Sequence, residues 1–237
     1  MGRLVVVRHG QASLHADDYD QLSDLGGHQS QALGRHWASM GSRWDGVVVG
    51  PCKRHRQTAE AVASQYLKQG QDFPVYSEHP AFDEHHGVRI YGEVLAADRV
   101  NGQNQNQHLT PWGLTDPDVV EKFMDRFRIV TRSWVKGELE YPQHENWAAF
   151  RDRVIAGVQE VLSKHKNGDQ VLLFSSAGPL AVLTGHSLGL DDVAMLDLSW
   201  RVRNSAVAEF RFEGEAITLE SFNALPHVQD PKLLTLV

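Results

Sequence analysis

Cysteine is almost missing from this chain of 237 residues, where Cys52 stands alone. No internal disulfide and no thiolate metal cluster can therefore form within one chain. Long apolar runs are missing too. No stretch approaches the roughly 20 residues that cross a bilayer, so no membrane association is expected. Positive charge is in deficit, 23 Lys and Arg against 30 Asp and Glu, for a formal net charge of −7. That balance argues against general nucleic-acid binding, and an anionic substrate would need a local cationic pocket. The 13 histidines include no His-Glu-x-x-His helix and no Cys/His zinc array, so no metal is expected. Internal repeats and convincing linkers are also lacking. One domain over 1–237 is expected, with an insertion over about 95–144.

What is there is an ordinary globular balance, 41% hydrophobic and 22% charged. The N-terminus enters a strand directly and leaves no room for a signal peptide, so cytoplasmic residence is the expectation. That strand, Leu4-Val5-Val6-Val7, has no polar alternation and reads as fully buried in a parallel sheet. It ends in Arg8-His9-Gly10, at the strand edge where open α/β sheets bind ligands. The pair reads either as a surface cation beside a loop histidine or as phosphoryl chemistry. In the second reading the guanidinium grips an oxyanion and the imidazole attacks it.

A helix is expected from Ser23 to about Met40, with Ser23 as N-cap and Gly26-Gly27 weakening its first turn. A second buried strand, Trp44 to Gly50, runs into Pro51-Cys52-Lys53-Arg54-His55-Arg56 and a helix to Leu67. Cations in the first turn of a helix oppose its dipole. Such a conflict marks function or a solvated basic turn, and a bound anion would resolve it. Phe73 to Tyr76 reads as a short edge strand. The loop Phe82-Asp83-Glu84-His85-His86-Gly87 offers carboxylates that could protonate a leaving oxygen.

The stretch 95–144 reads as irregular, with a polar Asn/Gln-rich part at 101–107. Helices are expected from Asp116 and from Asn146 to Lys164. A third buried strand ends at Ser175-Ser176-Ala177-Gly178-Pro179, ahead of a helix from Leu180 to Leu188. A hairpin follows over 204–220, and the tail beyond Asn223 reads as extended over the surface.

Several of these segments together resemble the histidine phosphatase superfamily, the phosphoglycerate mutase-like proteins. The carriers are Arg8-His9-Gly10, and Leu22-Ser23-x-x-Gly26-x-x-Gln29-x-x-Ala32-Leu33-Gly34. Gly50-Pro51-x-x-Arg54-x-x-Gln57-Thr58-Ala59, Glu84 with Gly87, the turn from Ser175 to Pro179, and Asn204 complete the set. The resemblance spans Leu4 to about Phe212. It implies an α/β three-layer sandwich, with a mostly parallel central sheet, helices on both faces and a helical cap insertion.

The resemblance further implies a cofactor-independent phosphomonoesterase acting on a small phosphorylated metabolite. His9 would carry a phosphohistidine, Arg8 and Arg54 would clamp phosphoryl oxygens, and Glu84 would serve as acid and then base. One departure stands out. The third strand of the family ends in a turn whose histidine is a second phosphate ligand, and Ser176 holds that position here. Two compensations are open: His85 or His86, or the amides of Ala177 and Gly178 beside Ser176. The alternative function is a weak or inactive relative that binds a phosphorylated ligand or partner. A phosphoglycerate mutase ranks below both, because the segment after Gly10 lacks the Trp-Asn that mutases carry. An exposed edge strand or insertion helix could also pair two copies.

Overall fold

A computed structural model describes residues 1–13, 20–101 and 116–236. The chain forms two compact units, one of Met1–Glu84 with Arg153–Val237 and one of His85–Asp152. The second unit is wider than the expected insertion over 95–144. The Asn/Gln-rich part of that insertion, 102–107, and Trp112 lie outside the described residues, as do 14–19 of the first loop.

The first unit is built on β1 (Gly2–Arg8), β2 (Gly46–Val49), β3 (Ser77–Glu78), β4 (Gln170–Ser175), β5 (Val207–Glu213) and β6 (Ala216–Ala224). They make one sheet in the order β3-β2-β4-β1-β5-β6. The first four in that order are mutually parallel, and β5 and β6 are antiparallel. Leu4 to Val7 are wholly buried, which is why this strand shows no polar alternation. Burying each such side chain stabilises the fold by about 2 kcal/mol. Val5, Val7, Val47, Val49, Leu172 and Phe174 pack with α1 (Asp24–Ser39) and α2 (Lys53–Lys68) through Leu33, Trp37, Ala59, Val62 and Tyr66. The alternate residues Leu4, Val6, Val48, Val171 and Leu173 are buried as well, so both faces of the sheet are covered. These features are the α/β architecture with a mostly parallel sheet that the sequence implied.

The second unit carries α3 (Gly87–Val100), α4 (Pro117–Val135) and the start of α5 (Trp147–Ser163). Tyr91, Phe123 and Phe127 stack their rings at 5.2–5.8 Å. A second ring cluster joins His85, Trp134, Trp147 and Phe150. The first unit also holds α6 (Ala177–Leu188) and α7 (Asp192–Ser199).

Four local expectations need correction. Phe73 to Tyr76 is not a strand: pairing with β2 starts only at Ser77, after Pro74 (which has no N–H to offer) and the exposed Val75. Helix α3 runs on into the stretch expected to be irregular from 95, because Ile90, Tyr91 and Leu95 form its buried stripe. Helix α6 starts at Ala177 rather than Leu180. Pro179 sits in its first turn, where a missing N–H costs nothing. The tail does lie over the surface, but it is pinned there and is not extended throughout, since Pro231–Leu233 form a short 3-10 turn. Gln29 Nε2 donates to Leu233 O and Thr235 Oγ1, both at 2.8 Å, and Asn204 N donates to Thr235 O at 3.0 Å.

The two glycines that open α1 differ in kind. A Cβ on Gly26 would stand 2.1 Å from the Gln11 carbonyl oxygen, whereas one on Gly27 would meet nothing within 4 Å. The expected results therefore have opposite signs. Gly26→Ala lowers stability by about 1–3 kcal/mol through a backbone clash. Gly27→Ala raises it by about 0.5–1 kcal/mol, because alanine loses less chain entropy in a helix. Denaturant midpoints of the two variants check the pair.

Candidate active site

Parallel pairing sets the site. Arg8 lies opposite Ser175 in the β1–β4 register, and His9 N donates to Ser175 O at 2.8 Å. The residues that follow, His9 and Ser176, therefore leave the sheet side by side. β2 ends at Val49, level with Phe174, and leads through Gly50 into α2 and Arg54.

His9 is buried, and its Nδ1 faces the Gly10 carbonyl at 2.6 Å. A carbonyl only accepts, so Nδ1 carries the proton and Nε2 keeps its lone pair. Arg54 Nε donates to that Nε2 at 3.1 Å. Burial, then the charges of Arg54 and Arg8, hold the His9 pKa well below 6.5. The result is a neutral imidazole whose Nε2 keeps its lone pair, beside the guanidinium of Arg54.

Arg54 is the hub. Besides His9 it reaches Ser176 Oγ through Nη2 at 3.4 Å, and Nη1 pairs with Asp20 Oδ1 at 2.8 Å. The other oxygen of Asp20 accepts from the Lys53 amide at 2.8 Å. The conflict of cations at the start of α2 is thus met from within the chain: the anion at this helix N-terminus is a carboxylate of the protein.

A second carboxylate does the same for α6. Glu84 Oε2 accepts from the Gly178 amide at 3.3 Å, one residue beyond Ala177. The amide compensation therefore changes meaning, because Gly178 already holds Glu84. The acid loop is fixed by Ser175 Oγ, which donates to Phe82 O at 2.8 Å, and by Arg153 Nη1, which donates to Ala81 O at 2.7 Å. Cys52 donates to Asp83 Oδ1, and burial pushes its thiol up to about 12 despite Arg54 nearby. It is a protonated thiol and no nucleophile.

Arg8 stands close enough to His9 to lower its pKa. Its Nη1 donates to the Val202 carbonyl and, at 2.7 Å, to the Leu236 carbonyl. His85 and His86 are engaged within the second unit. The His85 ring lies 5.6–6.0 Å from Trp134, Trp147 and Phe150, and its Nδ1 accepts from Gly87 N at 3.0 Å. His86 Nδ1 accepts from Glu145 N at 3.2 Å. Trp134 is buried in that cluster. No group of three potential metal ligands occurs among the described residues, and no described helix is long and apolar enough to cross a membrane.

The sequence reading missed three residues. Asp20 gave no signal beyond lying in an acidic loop. Arg153 sits on a helix far along the chain. His55 was legible: it continues the stripe Ala59, Val62, Tyr66 at helical spacing, and that stripe is buried.

Buried histidines also predict how stability follows pH. His9 and His55 have pKa values held well below 6.5, chiefly by burial and then by Arg54. Burial takes His227 to about 4, with His36 adding to the shift. Unfolded, each takes its proton near 6.5; folded, each stays neutral to much lower pH. Folding thus releases protons across that window. Stability is complete above about pH 7 and falls on acidification, by up to about 4 kcal/mol per pH unit when all three contribute. Thermal midpoints between pH 7.5 and 5 should show this, and His227→Gln should flatten the slope by about a third.

No curated protein sequence matches this chain significantly. Solved structures do. YhfR of Bacillus stearothermophilus superposes with a TM-score of 0.63 at 16% identity, covering 96% of this chain and 99% of that one. A phosphoserine phosphatase of Entamoeba histolytica, solved as a mutant with phosphoserine, gives 0.63 at 15%, covering 96% and 100%. A chain described as a putative alpha-ribazole-5'-P phosphatase of Escherichia coli gives 0.60 at 19%, covering 94% and 98%. At such identities the likeness is one of fold. The sequence pattern of the Histidine phosphatase superfamily (branch 1) matches residues 4–98 and 105–225. With nearly the whole chain inside that pattern, this protein belongs to the histidine phosphatase superfamily.

Proposed function

We propose that the protein is a phosphomonoesterase that hydrolyses a small phosphorylated metabolite through a phosphohistidine on His9. The observation that carries this reading is the state of His9: proton on Nδ1 toward Gly10, lone pair on Nε2 toward Arg54. Nε2 attacks phosphorus, the N–P bond forms and the P–O bond to the substrate alcohol breaks. Glu84 in its acid form gives that oxygen a proton. Its carboxylate then takes one from the water that attacks the phosphohistidine, returning His9 and free phosphate. Arg54, with the charge of Arg8 beside it, stabilises the equatorial oxygens. Ser176 and Ala177 close the phosphate side of the pocket, at the start of α6. The reaction asks nothing of an added cofactor, because guanidinium groups supply the positive charge.

Phosphate release from an aryl phosphate, measured with and without chelator in the wild type and in His9→Ala, tests this. Chelator-resistant turnover that disappears in the variant supports the reading. Phosphate binding without turnover favours the alternative of a ligand-binding relative, which draws on the serine at 176.

An incoming phosphoryl group meets Asp20 on Arg54. Asp20→Asn removes that rival and should tighten inorganic phosphate binding by up to roughly fivefold, the worth of a partly exposed ion pair. Titration calorimetry reads the difference, and unchanged affinity would show that Asp20 stays on Arg54 beside the ligand.

A further inference from the structure

His55 has no place in the chemistry above, yet it is wholly buried one residue from Arg54. Its Nε2 lies 2.7 Å from Ser176 Oγ. Its ring is 5.7 Å from that of His9. Nδ1 lacks a well-formed hydrogen bond, although the Gly50 backbone beside it favours the charged ring. There is no slack around the ring: a Cβ on Gly50 would come within 2.4 Å of Nδ1. A buried imidazole without full partnering is costly, and a smaller apolar residue would fill a helix stripe at no such cost. The cost is met at one point, the hydroxyl of Ser176.

We propose that His55 is a positioning residue that orients the Ser176 hydroxyl toward the phosphoryl oxygens, so that the pair does the work of one pocket imidazole. This deepens the phosphatase reading and rests on it. Ser176 Oγ is held between two groups, His55 Nε2 at 2.7 Å and Arg54 Nη2 at 3.4 Å. A hydroxyl has one proton and two lone pairs. No acceptor stands in line with His55 Nδ1, so the tautomer that fits has its proton on Nε2; with Nε2 and Arg54 Nη2 then both donating to those lone pairs, the proton of Ser176 is left to point at a third acceptor. Arg54, the donor to one of those lone pairs, also donates to His9 Nε2 at 3.1 Å, which sets the hydroxyl beside the nitrogen that attacks. In this arrangement the ring sits on α2, and a neutral hydroxyl from the β4–α6 turn delivers its hydrogen bond. Imidazole and hydroxyl are then one unit: without His55 the hydroxyl loses its orientation, and without Ser176 the ring has nothing to orient.

A double-mutant cycle tests this, because residues that act as one unit are strongly non-additive. His55→Ala, Ser176→Ala and the double variant are compared in turnover and in inorganic phosphate affinity, with thermal midpoints recorded beside them. Each single change should lower kcat by about 10–100-fold, and the double should be little worse than either. His55→Gln, which keeps a donor near the Nε2 position, should recover part of the loss. Full activity in Ser176→Ala, additive losses, or an activity loss in His55→Ala that only follows its thermal midpoint would each overturn the proposal. If the wild type turns nothing over, the phosphatase reading falls by itself. The phosphate-affinity cycle then decides: coupled losses uphold the His55–Ser176 unit, and additive or absent ones end it.

Discussion

His9→Ala should lower turnover at least about 10⁴-fold, since loss of a covalent nucleophile from comparable machinery costs up to about 10⁶. The size follows from what the residue is asked to do. Hydrolysis in one step would need water placed in line with the leaving oxygen, the place that the proposed mechanism gives to the imidazole. The one cysteine cannot take over. Cys52 is a protonated thiol, and the thiol of Cys52 is held on Asp83. Phosphate binding should survive in the variant, because Arg54 keeps its contacts to Asp20 and Ser176. Retained binding also shows that the variant is folded. Rapid quenching with labelled substrate supplies the second readout: an acid-labile phosphoryl group on the wild-type chain that His9→Ala lacks. Turnover in His9→Ala close to that of the wild type would rule out the nucleophile.

Arg54→Ala ranks next, with an expected fall of about 10³–10⁵ in kcat, the range for losing an arginine that stabilises phosphoryl transfer. Two further effects separate it from His9→Ala. Phosphate affinity should drop, since the hub of the cationic pocket is gone. The acid limb of the rate profile should also move to higher pH. After burial, the charge of Arg54 is the largest cause of the lowered His9 pKa, so its removal lets His9 take a proton sooner and lose its nucleophilic lone pair. Arg54→Lys should rescue poorly, because an ammonium cannot donate to His9, Asp20 and Ser176 from one rigid plane. An acid limb that stays in place in Arg54→Ala would mean that the limb reports another group.

The sheet and its decorated ends were legible because burial on both faces leaves a simple mark, short apolar runs cut off by glycine, serine or a charged residue. β1, β2 and β4 are of that kind, and they position His9, Arg54 and Ser176. Helix α3 was obscured because Gly87, Gly92 and a polar end dilute its stripe of Ile90, Tyr91 and Leu95. Asp20 could not be read as the anion on α2, since no local pattern ties it to an arginine 34 positions later. His55 failed for a different reason. Its spacing put it on the buried stripe, but a histidine among three cations reads as more of the same surface charge. Gln29 and Asn204 were picked out by resemblance without a stated task; the structure gives both the same one, holding the last residues of the chain.

The place of β1 in the sheet also sets a timetable. It leaves the ribosome ahead of both its sheet neighbours, β4 and β5, at 170–175 and 207–213. At the usual pace of synthesis, about 5–20 residues per second, its second partner appears roughly 10–40 s later. Through that interval Leu4-Val5-Val6-Val7 is an unpaired, uncharged, β-branched segment, the kind that chaperones hold and that aggregates when they do not. Arg8 and His9 ride on its end, and the Leu236 carbonyl to which Arg8 donates is made 228 residues later. The candidate site is consequently a late product of folding, assembled from segments of the nascent chain made far apart in time.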